Sequence, residues 1–264
     1  MSSPLPPEIF DLIIDFLHDD PDTLEACCLV SKSWIYRTRK HLFAHVEFLS
    51  QSDLKLWRKT FPDPSNSPAH YARSLSIYAS EVLTLVDTGV GDWIRAFSGV
   101  LRLRLGVSHT DISLAPLYGL FSTLKSLRVD YGSYLYPLEK FYLLGSDFSL
   151  QDLALVPFDY SSKVDECNIP STSPKLTGFL DLRASGTIRP AAHLLLELPN
   201  GLHFSKIHVS YEDEDFESMM DLVSSCSDTL ESLSVCYDDP GGAGFLSVLI
   251  VGQYLTATFL RRRG

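Results

Sequence analysis

Three arginines fall within one recurring motif of this chain. "VLRLRL" places Arg102 and Arg104 two residues apart, and "LKSLRV" adds Arg128, followed by Asp130. Guanidinium groups meet carboxylate and phosphate oxygens through paired hydrogen bonds. Arginines gathered on one surface would read an acidic or phosphorylated segment. Asp130 and Asp152 would oppose that role by neutralising them. Other chemistry is scarce. The chain lacks G-x-S-x-G, a P-loop, H-E-x-x-H and G-x-G-x-x-G. "TGVGDW" (88–93) and "PGGAG" (240–244) lack the strand–turn–helix spacing of a nucleotide site and read as turns. Eight histidines are scattered, and His203 and His208 have no ligand set nearby. No intrinsic catalysis, metal or cofactor is expected. The acidic run "YEDEDFE" (211–217) reads as a solvated loop whose later acids favour a following helix N-terminus.

The elements that would position the arginines form a repeat. The pattern apolar-x-x-apolar-x-apolar recurs in "ARSLSI", "VLRLRL", "LKSLRV", "LQDLAL", "FSKIHV" and "LESLSV", and in "LTGFLDL" with one residue more. Its anchors are Leu75, Leu103, Leu127, Leu153, Leu180, Ile207 and Leu233, separated by 28, 24, 26, 27, 27 and 26 residues. A fixed period of this size marks a repeat array with a strand at each anchor. Alternation makes each strand half-buried. The residues between anchors then share one face: Tyr78, Arg102, Arg104, Arg128, Asp130, Asp181, Arg183, Lys206 and His208. "GDWIRAFSG", "LAPLYGLFST" and "FESMMDLVSSC" read as helical returns, and residues 159–174 as a loop.

The N-terminal stretch "LPPEIFDLIIDFLHDD" has a different problem. Ile9, Ile13 and Phe16 form one apolar line at helical spacing, and Phe10, Ile14 and Leu17 form a second. Pro6-Pro7 suits a helix start and "HDDPD" a helix end, with a second helical stretch over 23–43. Residues 8–25 carry seven carboxylates and no Lys or Arg, whereas 32–40 carry four basic residues and no carboxylate. The two halves attract when folded back. A helical unit of about forty residues cannot bury both lines together with Leu29, Val30 and Trp34. One line packs inward and the other meets a partner; the sequence leaves open which.

These residues resemble an F-box. Leu5-Pro6-x-Glu8-Ile9, Ile13, Leu17, "CLVSKSW" and Leu42-Phe43 carry the resemblance over about residues 4–45. It implies a three-helix module docking on the Skp-type adaptor of a cullin–RING ubiquitin ligase. By that resemblance Leu5, Pro6, Ile9, Ile13, Leu17, Leu29, Val30 and Trp34 sit at docking or core positions. One departure is Asp22-Thr23-Leu24, where F-boxes often have Asp-Leu. The array resembles the diverged leucine-rich repeats behind fungal F-boxes. It lacks their Asn or Cys at the bend, carrying Ser80, Ser108, Gly132, Phe158, Ser185, Glu212 and Asp238 there. The expected fold class is α plus α/β: an F-box over 4–48, a linker helix and loop over 49–71, and an irregular leucine-rich-repeat solenoid with a parallel strand face over 72–264. The expected role is substrate recognition in an SCF-type ligase, with a protein substrate on Tyr78, Arg102, Arg104, Arg128, Asp130, Arg183 and His208. A non-ligase scaffold is the alternative, and a C-terminally membrane-anchored protein is a further one.

Totals agree with these readings. A net charge of −11 argues against nucleic acid and anionic membranes as partners. Five scattered cysteines, without a C-x-x-C pair or a leader-like N-terminus, point to reduced thiols in the cytoplasm or nucleus. Residues 243–260 are uncharged and precede three arginines, which is long enough for a membrane span. The period instead places one more strand at "YLTATFL", with "FLSVLIVG" as its return. A non-native ending is a third reading.

Overall fold

In the computed structural model, residues 6–78, 90–107, 117, 120, 122–131, 149–157, 175–183, 187–211, 215–237, 244–251 and 254–261 are described. The chain starts with three helices: α1 (Pro7–Phe16), α2 (Pro21–Val30) and α3 (Lys32–Leu42). Prolines open α1 and α2 where no backbone donor is needed. Asp20 ends the α1–α2 turn by accepting from the Thr23 backbone N–H at 3.0 Å. The single helical stretch expected over 23–43 is divided at Ser31. That residue is extended (φ −151°, ψ 141°), and its hydroxyl accepts from the Ser33 N–H to cap α3.

A mixed sheet follows. Its strands are β1 (His45–Phe48), β2 (Ser74–Ile77), β3 (Arg102–Val107), β4 (Ser126–Tyr131), β5 (Ser149–Pro157), β6 (Lys175–Arg183), β7 (His203–Tyr211), β8 (Ser232–Tyr237), β9 (Gly244–Val251) and β10 (Tyr254–Arg261). They lie side by side in chain order. β1 to β8 pair in parallel. Every predicted anchor falls in one register row, Leu75–Leu103–Leu127–Leu153–Leu180–Ile207–Leu233. Val46 of β1 extends this row by one strand. β1 lies inside the stretch read as the helical unit, although "FAHVEF" carries the same pattern one period before Leu75.

Return helices cover one face: α4 (Gln51–Thr60), α5 (Val90–Arg95), α6 (Arg189–Leu196) and α7 (Phe216–Ser225). α5 and α7 match two of the expected helical returns. "LAPLYGLFST" and 159–174 fall largely or wholly outside the described residues. α6 was not anticipated, although Pro190 in its first turn and Leu194, Leu195 and Leu198 signal it. One continuous core of anchors and helix residues runs from Val46 to Val235. The stretch after β1 is packed into this core through Leu54, Ala69 and Ala72. Trp57 of α4 sits among Phe43, Phe48, Phe61 and Phe97, with ring centroids 4.9–5.9 Å away.

The C-terminal end departs from the expectation. "YLTATFL" is a strand, but "FLSVLIVG" is also a strand rather than a return. β9 runs antiparallel to both β8 and β10. A parallel crossover needs a dozen or more residues, and only six separate β8 from β9 and two separate β9 from β10. Among the described residues, no helix is long and apolar enough to cross a membrane.

Candidate functional site

Two surfaces carry the candidate residues. The first lies on α1 and α2. Ile14 is buried, Leu17 is half-buried, and half-buried Phe10 meets the Trp34 ring at 5.3 Å. The Phe10–Ile14–Leu17 line therefore faces inward, toward α3. The other line faces out: Ile9 is 40% exposed, Ile13 46% and Phe16 85%. Leu12 on α1 and Leu29 and Val30 at the end of α2 are exposed as well. Pro6 caps α1 and is exposed, while Leu5 lies outside the described residues. Leu12 is not among the sequence candidates, although it stands three residues from Ile9 and four from Phe16 and so lies beside the outward line.

An ionic clip sets the pose of α1. Asp15 accepts from Arg37 Nε at 2.6 Å and from Arg37 Nη2, and pairs with His41 Nε2 at 2.7 Å. The Arg37 guanidinium, with His41 assisting, holds the Asp15 carboxyl well below the usual carboxylate range. This is the attraction expected between the acidic first half and the basic α3.

The second surface is the sheet face away from the helices. Alternation puts Glu47, Ser76, Arg104, Arg128, Ala154, Asp181, His208 and Ser234 in one register row. Arg104 and Arg128 do come together, and Asp130 joins them. Arg104 Nε donates to Asp130 Oδ2 at 2.5 Å, and Arg128 Nε donates to Oδ1 at 2.8 Å. The Asp130 side chain is 1% exposed, and the two arginines are 41% and 36% exposed. Tyr78 lies beside them, its ring centroid 5.0 Å from the Arg104 guanidinium carbon. Gly106 makes room for that ring, since a Cβ there would stand 2.6 Å from Tyr78 Cδ1. Burial pushes the Tyr78 phenol up, so it stays protonated. Arg102 is exposed on the same face, in a row with Ser74, Ser126 and exposed Asp152.

Arg183 and His208 belong to a separate group two strands away. Arg183 Nε donates to the buried Asp181 at 2.9 Å. His208 is beside Asp181 in register, and burial holds its imidazole below the usual value despite that carboxylate. Ala154 and Val156 of β5 separate the two groups. Lys206 is exposed one register row away.

The remaining chemistry is structural. Asp215, in the acidic run, is fully buried and accepts from the Ile188 backbone N–H at 3.0 Å and from Thr187 Oγ1, securing the start of α6. Burial pushes the Cys28 and Cys226 thiols up, away from the thiolate form that nucleophilic chemistry uses. Among the described residues, no group of three His, Cys, Asp or Glu could hold a metal ion. No family model matches the chain, no curated protein is similar to it, and no solved structure resembles it.

Proposed function

We propose that this chain is a non-catalytic substrate-recognition subunit of an SCF-type cullin–RING ubiquitin ligase. In this reading α1–α3 form an F-box that docks on a Skp-type adaptor, and through it on a cullin. The strands with their returns form diverged leucine-rich repeats whose open sheet face holds a protein substrate. The observation that carries the reading is the outward line Ile9–Ile13–Phe16, with Leu29 and Val30, on a unit whose inward line is already packed. Covering the apolar surface that these side chains still expose contributes roughly 25 cal/mol per Å², set against the cost of association. The chain then acts by holding substrate near the ubiquitin-loaded enzyme, which raises effective concentration.

Co-purification with the Skp-type adaptor and cullin tests this. The wild-type chain is expected to capture both. Ile13→Asp is expected to abolish capture while leaving the thermal unfolding midpoint nearly unchanged, because Ile13 is 46% exposed. A folded wild type that captures no adaptor sinks the ligase reading and leaves a scaffold that docks another protein.

A further inference from the structure

The row that holds Arg104 and Arg128 carries small neutral residues on their two flanking strands, Ser76 on β2 and Ala154 on β5, and its other polar members Glu47, Asp181 and His208 lie further along the sheet. A neutral side chain is thus compatible with the fold on both flanking strands. β3 and β4 nevertheless carry a buried carboxylate between two guanidiniums. Buried ion pairs seldom repay their desolvation in stability, so stability is a poor account of this group.

We propose that Arg104 and Arg128, braced by Asp130 and Tyr78, dock a single Asp or Glu carboxylate of a protein target lying across the sheet face. This rests on reading that face as the recognition surface. Asp130 engages the Nε of each arginine. Those bonds use the Nε edge of each guanidinium, and its end-on pair of Nη–H donors is a different edge that matches carboxylate oxygens. Both arginines are more than a third exposed, so a ligand can reach them. The Asp130 contacts and the Tyr78 ring hold the forks in place before binding, which lowers the ordering cost.

Charge selects the anion. Two guanidiniums and one carboxylate sum to +1. Around the group, Arg102 on β3 is set against two carboxylates, exposed Asp152 on β5 in its own row and Glu47 on β1, so no further net positive charge surrounds it. A carboxylate monoanion brings the group to neutrality. A phosphate carries about −1.5 to −2 at pH 7 and would leave excess negative charge beside Asp130.

The test uses the full chain and three pools of randomised decapeptides whose central residue is fixed as Glu, Gln or phosphoserine. The Glu pool is expected to bind about tenfold above the Gln pool and above the phosphoserine pool. Arg104→Ala/Arg128→Ala should reduce the Glu pool to the Gln level, and Arg104→Lys/Arg128→Lys, which keeps the charge but not the forks, should weaken it several-fold. Asp130→Asn raises the group to +2 and should move the preference to phosphoserine. Equal wild-type binding of Glu and Gln pools, a wild-type preference for phosphoserine, or a Glu preference that survives loss of both arginines overturns the proposal. Adaptor capture by the same preparations separates the two readings. Capture without a Glu preference overturns this proposal alone, and a Glu preference without capture overturns the ligase reading alone.

Discussion

Gly178 decides the register of the middle of the sheet. "LTGFLDL" has one residue more than its sister motifs, and the surplus appears as a β-bulge on β6 where it meets β5; against β7 the register shifts beside the same glycine, with the extra residue on β7. Gly178 sits there with φ +78°, and a Cβ would stand 2.1 Å from the Gln151 carbonyl oxygen. Gly178→Ala therefore meets both a left-handed backbone and a clash. It should cost roughly 2–4 kcal/mol, seen as a lower urea midpoint at unchanged slope. A loss below about 0.5 kcal/mol would show that the bulge relaxes around a side chain. The surplus residue was legible because the motif recurs often enough to expose it. The sharing of Asp130 by two arginines was half-legible. The motif puts Asp130 near Arg128, but its reach to Arg104 depends on the register between β3 and β4. Tyr78 and Gly106 each stand three residues past their anchors, so the spacing sets them side by side, but that the Tyr78 ring leans over Gly106 is a matter of side-chain direction that spacing does not carry.

Among the elements, α1 is the one whose pose decides which apolar line faces outward. The sequence held two apolar lines and no means of ranking them, because both have helical spacing. The ranking comes from α3, where Trp34 receives Phe10, and where Arg37 and His41 receive Asp15. The Asp15 carboxyl titrates lower folded than unfolded, so its contribution is complete above the ordinary carboxylate value and is lost as pH falls below about 4. The pair is about a third exposed, so at most about 1 kcal/mol is at stake. Amide exchange in α1, relative to β4 of the same chain, should quicken between pH 5 and about pH 3 in the wild type. In Asp15→Asn it should already be faster at pH 5 and show no such step. An unchanged wild-type step in Asp15→Asn would assign the acid sensitivity to other groups. The elements missed by sequence reading have plain causes. β1 was absorbed into the helical unit because a single four-residue strand gives little periodicity, and α6 was missed because its proline resembles a break.

On the scale of the whole molecule, the aligned anchors make a quasi-linear structure in which each strand contacts its neighbours. Its order was legible because the period sets the connections, and parallel strands joined by long returns leave few alternatives. The C-terminal hairpin was not, because an uncharged run fits a strand, a return or a span equally well until its connection lengths are counted against the crossover requirement. A linear core predicts position-dependent consequences of the same lesion. Leu155 of β5 is fully buried, in the register row next to the anchors, with Val129 on one side and Leu182 on the other. Leu155→Ala opens a cavity with neighbours on both sides and should cost about 2–5 kcal/mol. Val46 of β1 has a strand neighbour on one side only among the described residues, and Val46→Ala should cost less. Hydrogen exchange then reads how far each lesion spreads. Leu155→Ala should lower protection in β4 and β6 as much as in β5, whereas Val46→Ala should lower it in β1 and β2 and leave β5 to β8 unchanged. Uniform loss of protection across all strands in both variants would instead mean that the array unfolds as one cooperative unit. Helices α1–α3 would then share the stability of the sheet, because only two residues separate α3 from β1 and the Trp57 aromatic cluster binds that junction to the core.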